Sequence, residues 1–129
     1  MDKTRVLIVD DDPNLARLSG MILENSGEYE VLTEKDSTKA MDVARRFRPH
    51  IMLLDIDMPG IDGGELARSA ASDSLLRDVP VLFLTGLVSK SEIGNNELQR
   101  GGMTFLAKPV LPASLLDSVR KLVAGTPAW

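Results

Sequence analysis

The feature that most limits how this chain can fold is the alternation of short apolar runs with amphipathic helical segments. Runs rich in branched and aromatic residues lie at 6–9, 51–54, 81–84 and 103–107, and a weaker one lies at 29–33. Runs of this length and composition are typical of buried strands. Strands that alternate with helices pair in parallel through right-handed crossover connections. We therefore predict an α/β fold in which five βα units build a doubly wound, five-stranded parallel sheet.

Capping residues indicate where the first two helices begin. Asp12 followed by Pro13 is typical of an N-cap and the first position of a helix, and Gly27 is a typical stop after its last turn. Leu15, Leu18 and Ile22 form the apolar stripe that we expect to face the core from this helix. Ser37 is expected to cap the second helix in the same way.

The segment SKSEIGNNELQRGGM, residues 89–103, is expected to hold the fourth helix. Gly94, Asn95 and Asn96 lie in its middle and lower its helix propensity, the glycine by roughly 1 kcal/mol relative to alanine. We therefore predict a short or frayed helix there. A closing amphipathic helix is predicted over residues 111–123.

Composition limits the classes of function. The 129 residues have the size of one domain, so we expect a single domain over residues 1–129, with no output domain in this chain. Cysteine is absent and His50 is the single histidine, which excludes disulfides, thiolate metal sites and multi-histidine centres. No apolar run approaches 18 residues, and the net charge is −4 without a basic cluster. We expect a cytoplasmic protein that binds neither membranes nor nucleic acid directly.

Functional side chains follow the ends of four predicted strands. The stretch RVLIVDDDP places Asp10 and Asp11 after the first strand, and Asp55, Thr85 and Lys108 end or follow later ones. Ligands of such sheets bind beyond the carboxyl ends of the strands. Three carboxylates without nitrogen or sulfur ligands suit Mg²⁺, and a hydroxyl and a lysine beside them suit a phosphoryl group. Because crowded carboxylates repel each other, we also expect Asp11→Asn to stabilise the metal-free protein.

The motifs LIVDDDP, IMLLDIDMPGIDGGEL, VLFLTG and FLAKPV resemble, in order and spacing, those of the response-regulator receiver domains of two-component signalling. The resemblance covers nearly the whole chain and implies a flavodoxin-like sheet with strand order 2-1-3-4-5. It also implies that Asp55 accepts a phosphoryl group in a reaction that depends on Mg²⁺, or Mn²⁺ in its place. The implied metal ligands are Asp10, Asp11, Asp55 and the backbone carbonyl of Asp57.

The same resemblance implies how the phosphoryl group is held and sensed. Thr85 would hydrogen-bond it, Gly86 would keep the approach open and Lys108 would pair with one of its oxygens. The Lys108–Pro109 peptide would be cis, and Phe105 occupies the position of the switch aromatic. The implied phosphoryl donor is a histidine kinase or a histidine phosphotransfer protein. The implied output is a change of the surface formed by the fourth helix, fifth strand and fifth helix, recognised by a downstream protein or an output domain.

Two alternatives come from other classes. IMLLDIDMPG also resembles the first motif of haloacid-dehalogenase-type phosphatases, in which Asp55 would be the nucleophile and Asp57 its acid/base. That family places its further metal carboxylates after the lysine, whereas only Asp117 follows Lys108 here. The other alternative is a receiver-like interaction module that is not phosphorylated, which missing acidic or lysine positions would favour. None of those positions is missing.

Overall fold

The computed structural model describes residues 3–86, 97–100 and 103–125. Its strands form one six-stranded sheet in the order β2-β1-β3-β4-β6-β5. Neighbouring strands pair in parallel from β2 to β6, so the predicted five-stranded parallel sheet of order 2-1-3-4-5 is confirmed, and β5 is an additional antiparallel edge strand. The strands are β1 (Thr4–Val9), β2 (Tyr29–Glu34), β3 (Ile51–Asp55), β4 (Val81–Thr85), β5 (Glu97–Arg100) and β6 (Met103–Ala107).

Helices cover both faces of the sheet. In the described ranges they are α1 (Pro13–Asn25), α2 (Ala40–Phe47), which follows a 3₁₀ turn (Ser37–Lys39), α3 (Gly63–Ala71) and α4 (Pro112–Ala124). Val6 and Ile8 of β1 belong to the core cluster that contains residues of α1 and α4. Leu7 and Val9 belong to the cluster that contains residues of α2 and α3. Because successive strand residues point to opposite faces, a strand buried on both sides must be apolar throughout, as the β1 sequence is.

The beginning of α1 was predicted correctly, and so was its apolar stripe at Leu15 and Ile22, which pack against the core, but not at Leu18. The Asp12 side chain accepts hydrogen bonds from the main-chain N–H groups of Asn14 and Leu15, and Pro13 is the first helical residue. Leu18, however, is 50% exposed, and the fully buried large residue of this helix is Leu23. The helix lies close to β2 over its small residues, such as Gly20, which turns Leu18 toward solvent.

The prediction of a fourth helix over residues 89–103 is wrong for residues 97–100. Glu97–Arg100 form β5, which pairs antiparallel with β6, with Arg100 opposite Met103. Two glycines separate this pair in the sequence, and a glycine pair between short strands is a common hairpin signal. The chain therefore satisfies these backbone groups by pairing with β6 rather than within a helix of low propensity. Residues 87–96, 101 and 102 lie outside the described residues.

The prediction for the start of the second helix is also corrected. Asp36, not Ser37, is the N-cap of the 3₁₀ turn, since its side chain accepts from the main-chain N–H of Thr38 at 3.0 Å. The Ser37 side chain is buried and points elsewhere.

Across the described ranges, no helix combines the length and the apolar character that crossing a membrane would require.

Candidate functional site

Asp10 extends β1 into the rim of the sheet and is completely buried. Its main-chain N–H donates to the carbonyl of Glu34 at 3.1 Å, which continues the β1–β2 ladder by one residue. Its Oδ1 atom accepts from the main-chain N–H of Asp12 at 2.9 Å. Its Oδ2 atom is buried and has no hydrogen-bond partner among the residues that the structure describes. A buried carboxylate oxygen without a donor is costly and marks a place that a cation would satisfy.

Asp55 is the last residue of β3 and lies next to Asp10 at the same rim. The residue is only 3% exposed. The main-chain N–H of Asp57 donates to Asp55 Oδ1 at 3.3 Å. Asp11 is exposed, yet one oxygen from each of the carboxylates of Asp10, Asp11 and Asp55 falls within 4.8 Å of the others. The side chains that the sequence predicted as metal ligands are therefore together.

The chemistry of this cluster fits a hard divalent cation. Its donors are all carboxylate oxygens, one of them buried without a hydrogen-bond donor, and the exposed Asp11 leaves one side open to water. Mg²⁺ prefers oxygen ligands and retains several waters, and Mn²⁺ accepts similar ligands.

Burial decides the electrostatics of Asp10. The pKa of this carboxyl is raised from 3.8 to about 6, chiefly by loss of solvation and against the opposing hydrogen bond from the Asp12 N–H. The nearby charge of Asp55 contributes to this rise, whereas Lys108 opposes it. At neutral pH the pocket therefore holds a carboxylate that the protein interior disfavours, and a bound cation would relieve that cost.

Lys108 and Thr85 complete the rim from β6 and β4. The Lys108 Nζ atom lies 3.0 Å from Asp55 Oδ1 and 3.8 Å from Asp10 Oδ2. The Lys108 main-chain N–H donates to the Thr85 carbonyl at 2.9 Å, which fixes the end of β6 against β4, and Thr85 itself is buried. The Lys108–Pro109 peptide bond is cis. An ammonium, a hydroxyl-bearing residue and an acidic cluster at one rim are suited to hold an oxyanion together with a cation.

Phe105 lies on β6, separated by β4 from the strand that ends in Asp55, and is partly buried. Its ring stacks on Phe83, the residue opposite it in β4, at a centroid distance of 5.1 Å. Both rings line an apolar cleft of about 530 Å³ between α3 and the sheet. Gly86 follows Thr85 at the rim, and a Cβ atom there would meet no atom of the described residues within 4 Å.

Two residues that hold the loop after Asp55 were not identified from the sequence. A Cβ atom at Gly63 would overlap with the main-chain carbonyl of Asp55, so α3 begins in direct contact with the end of β3. The buried Ser37 hydroxyl bonds to this same loop from the side of α2. The GG pair after Asp62 was a usable signal for the first contact. No local sequence signal indicates the contact of the Ser37 hydroxyl, because it joins segments more than 20 residues apart.

Comparisons with known proteins agree with this geometry. Residues 6–120 match the family described as the response regulator receiver domain. The chain is 31% identical over 118 residues to the DNA-binding response regulator MtrA of Mycolicibacterium smegmatis, which covers 92% of this chain and 50% of MtrA. It is 35% identical over 119 residues to the response regulator PleD of Caulobacter vibrioides, which covers 92% of this chain and 26% of PleD. The chain thus spans half the length of MtrA and about a quarter of PleD.

A solved structure gives the same result. The receiver domain of the sensor histidine kinase PA1611 from Pseudomonas aeruginosa PAO1 is similar with a TM-score of 0.79 at 25% identity, over 96% of this chain and 100% of that one. That structure has a magnesium ion coordinated in its active-site cleft. These similarities give no support to the phosphatase alternative or to an interaction module without phosphorylation.

Proposed function

This chain belongs to the response-regulator receiver family, a family of phosphorylation-controlled signalling switches, and from that membership we propose that Asp55 is its phosphoacceptor. The observation that supports Asp55 is the ammonium of Lys108, 3.0 Å from its Oδ1 atom, beside the buried carboxylate of Asp10. The reaction is a phosphoryl transfer. An Asp55 oxygen forms a bond to phosphorus while the bond between phosphorus and the donor, a histidine nitrogen in the cell, breaks.

Each neighbouring side chain has a role in that transfer. Lys108 pairs with a phosphoryl oxygen and Thr85 hydrogen-bonds another, so negative charge is balanced where it gathers. Asp10, Asp11, Asp55 and the carbonyl of Asp57 would hold Mg²⁺, or Mn²⁺ in its place, which when bound supplies positive charge beside the phosphoryl oxygens. Phe105 stacks on Phe83 next to β4, so it can respond to movement of Thr85 through packing, since its ring has no hydroxyl.

The partners follow from this role. A histidine kinase or histidine phosphotransfer protein donates the phosphoryl group, and a downstream protein or an output domain outside these 129 residues reads the change. The surface that changes includes β6, which is the fifth parallel strand, and α4, which is the closing helix. The domain catalyses only its own phosphorylation and dephosphorylation. We place it in the cytoplasm, with no direct contact to nucleic acid or membrane.

Incubation with acetyl phosphate and Mg²⁺, followed by intact-mass measurement, tests the proposal. We expect a gain of one phosphoryl group that EDTA prevents and that Asp55→Asn abolishes. Asp57→Asn is the matched control, since it removes a neighbouring carboxylate but keeps the main-chain carbonyl. An unmodified parent protein, or an Asp55→Asn variant phosphorylated like the parent, would overturn the assignment.

A further inference from the structure

The hydroxyl of Ser37 joins the start of α2 to the loop that follows Asp55. Ser37 Oγ donates to the carbonyl of Pro59 at 3.2 Å and accepts from the main-chain N–H of Ile61 at 3.0 Å. Its side chain is only 3% exposed. One buried hydroxyl therefore satisfies a donor and an acceptor on either side of Gly60, and both would otherwise need other partners.

The surroundings hold this hydroxyl in place. Asp36 caps the 3₁₀ turn through the N–H and the hydroxyl of Thr38, at 3.0 and 2.6 Å, so the backbone around Ser37 is fixed. Gly60 has a φ of +84°, which glycine adopts readily, and a Cβ atom there would lie 3.3 Å from a methyl of Thr38. The loop can thus approach the 3₁₀ turn closely enough for both hydrogen bonds.

The loop in contact with Ser37 also carries Asp57. The N–H of Asp57 donates to the carboxylate of Asp55, and the N–H of Gly63 donates to the carbonyl of Ile56 at 3.1 Å. The loop is therefore anchored at its beginning and its end by the Asp55 strand and α3. Ser37 adds two side-chain hydrogen bonds to its middle from another element, beside the packing of Met58 and Ile61 in the core cluster that contains residues of α2.

We propose that Ser37 is a positioning residue, whose two hydrogen bonds to the loop keep Asp57 against the Asp55 carboxylate and so connect α2 to the site. The inference rests on the proposed role of Asp55, because only then does the placement of Asp57 matter for the reaction. The hydroxyl itself touches neither Asp55 nor the acidic cluster in the described contacts.

Amide hydrogen exchange of Ser37→Ala, measured by NMR on the metal-free, unmodified protein, tests this directly. We expect the Ile61 and Asp57 amides to exchange at least tenfold faster than in the parent. With Mg²⁺ added, we expect a three- to tenfold higher Kd for the ion and slower phosphorylation by acetyl phosphate. The control is Val119→Ala, which removes buried volume from α4 on the other face of the sheet. It should destabilise the protein but leave the Mg²⁺ affinity and the exchange rate of the Asp57 amide, which opens locally, unchanged.

Parent-like exchange at Asp57 in Ser37→Ala would overturn the proposal, and so would an equal loss of Mg²⁺ affinity in Val119→Ala. Failure of the proposed function looks different. In that case the parent protein itself gains no phosphoryl group, whereas the loop amides still report whether Ser37 holds Asp57.

Discussion

Asp10→Asn should stabilise the metal-free protein at neutral pH. The Asp10 side chain is fully buried, and its pKa is raised from 3.8 to about 6, mainly by loss of solvation. Keeping this carboxylate ionised in the folded state then costs about 3 kcal/mol at most. The pKa rises by about two, and each tenfold change in the protonation equilibrium corresponds to about 1.4 kcal/mol. Asparagine removes the charge, and its amide oxygen can still accept from the Asp12 N–H. Because its NH₂ group is also buried, we expect a net gain of about 1–2 kcal/mol.

The gain should depend on pH with a definite sign. Between about pH 4 and pH 6 the folded parent binds a proton that the unfolded chain has lost, so this group makes the parent more stable as the pH falls through that window. Asp10→Asn lacks this dependence. The difference between variant and parent should therefore be largest at pH 7.5 and nearly absent at pH 4.5.

Thermal and urea unfolding in EDTA at the two pH values measure this difference. At pH 7.5 we expect the Tm of Asp10→Asn to exceed that of the parent by roughly 3–10 °C, and added Mg²⁺ should stabilise the parent but not the variant. Asp12→Asn is the control, because Asp12 is an exposed cap and asparagine caps a helix about as well. A variant that is less stable than the parent at pH 7.5, or a gain that persists unchanged at pH 4.5, would refute the reasoning.

Further predictions concern four positions outside the acidic cluster. Gly63→Ala should lower the free energy of unfolding by about 1–3 kcal/mol, because its methyl group overlaps with the main-chain carbonyl of Asp55. On the proposed role of Asp55, it should also slow phosphorylation. Gly64→Ala is its control: a methyl group has ordinary space there and should stabilise α3 by about 0.5–1 kcal/mol. Equal losses of stability for the two variants in urea titrations would contradict this. His50 should titrate in an NMR pH series below its ordinary pKa of 6.5, because burial and then the charge of a nearby arginine lower it, and its Nδ1 accepts a main-chain N–H only when neutral. A titration midpoint of His50 at or above 6.5 would contradict the expected lowering of its pKa. Ser19→Ala should leave the free energy of unfolding unchanged or raise it by about 0.5 kcal/mol, since the buried hydroxyl has no hydrogen-bond partner within the described residues. A loss above about 1 kcal/mol in urea would show that the hydroxyl is bonded.

The sequence by itself determined the elements whose signals are local. Five parallel strands, the Asp12 cap of α1 and the stop at Gly27 follow from residue type and spacing within a few positions. The meeting of Asp10, Asp55 and Lys108 also followed, because parallel strands bring their carboxyl ends to one rim. The four motifs that contain these strand ends, from LIVDDDP to FLAKPV, were specific enough to indicate the family.

Tertiary structure alone decided features that depend on depth and on distant neighbours. The sequence attributed the electrostatic cost of the pocket to crowding of its carboxylates and suggested Asp11→Asn to relieve it. Burial adds a separate cost at Asp10, since only the fold sets how far each carboxylate lies from water. Residues 97–100 became a strand because β6 offered an unpaired edge, which no helix propensity encodes. Ser37 appeared to be a cap because its own neighbours suggest one. Its hydroxyl is directed instead to a loop more than 20 residues away, and such a contact exists only once the sheet has brought the two segments together.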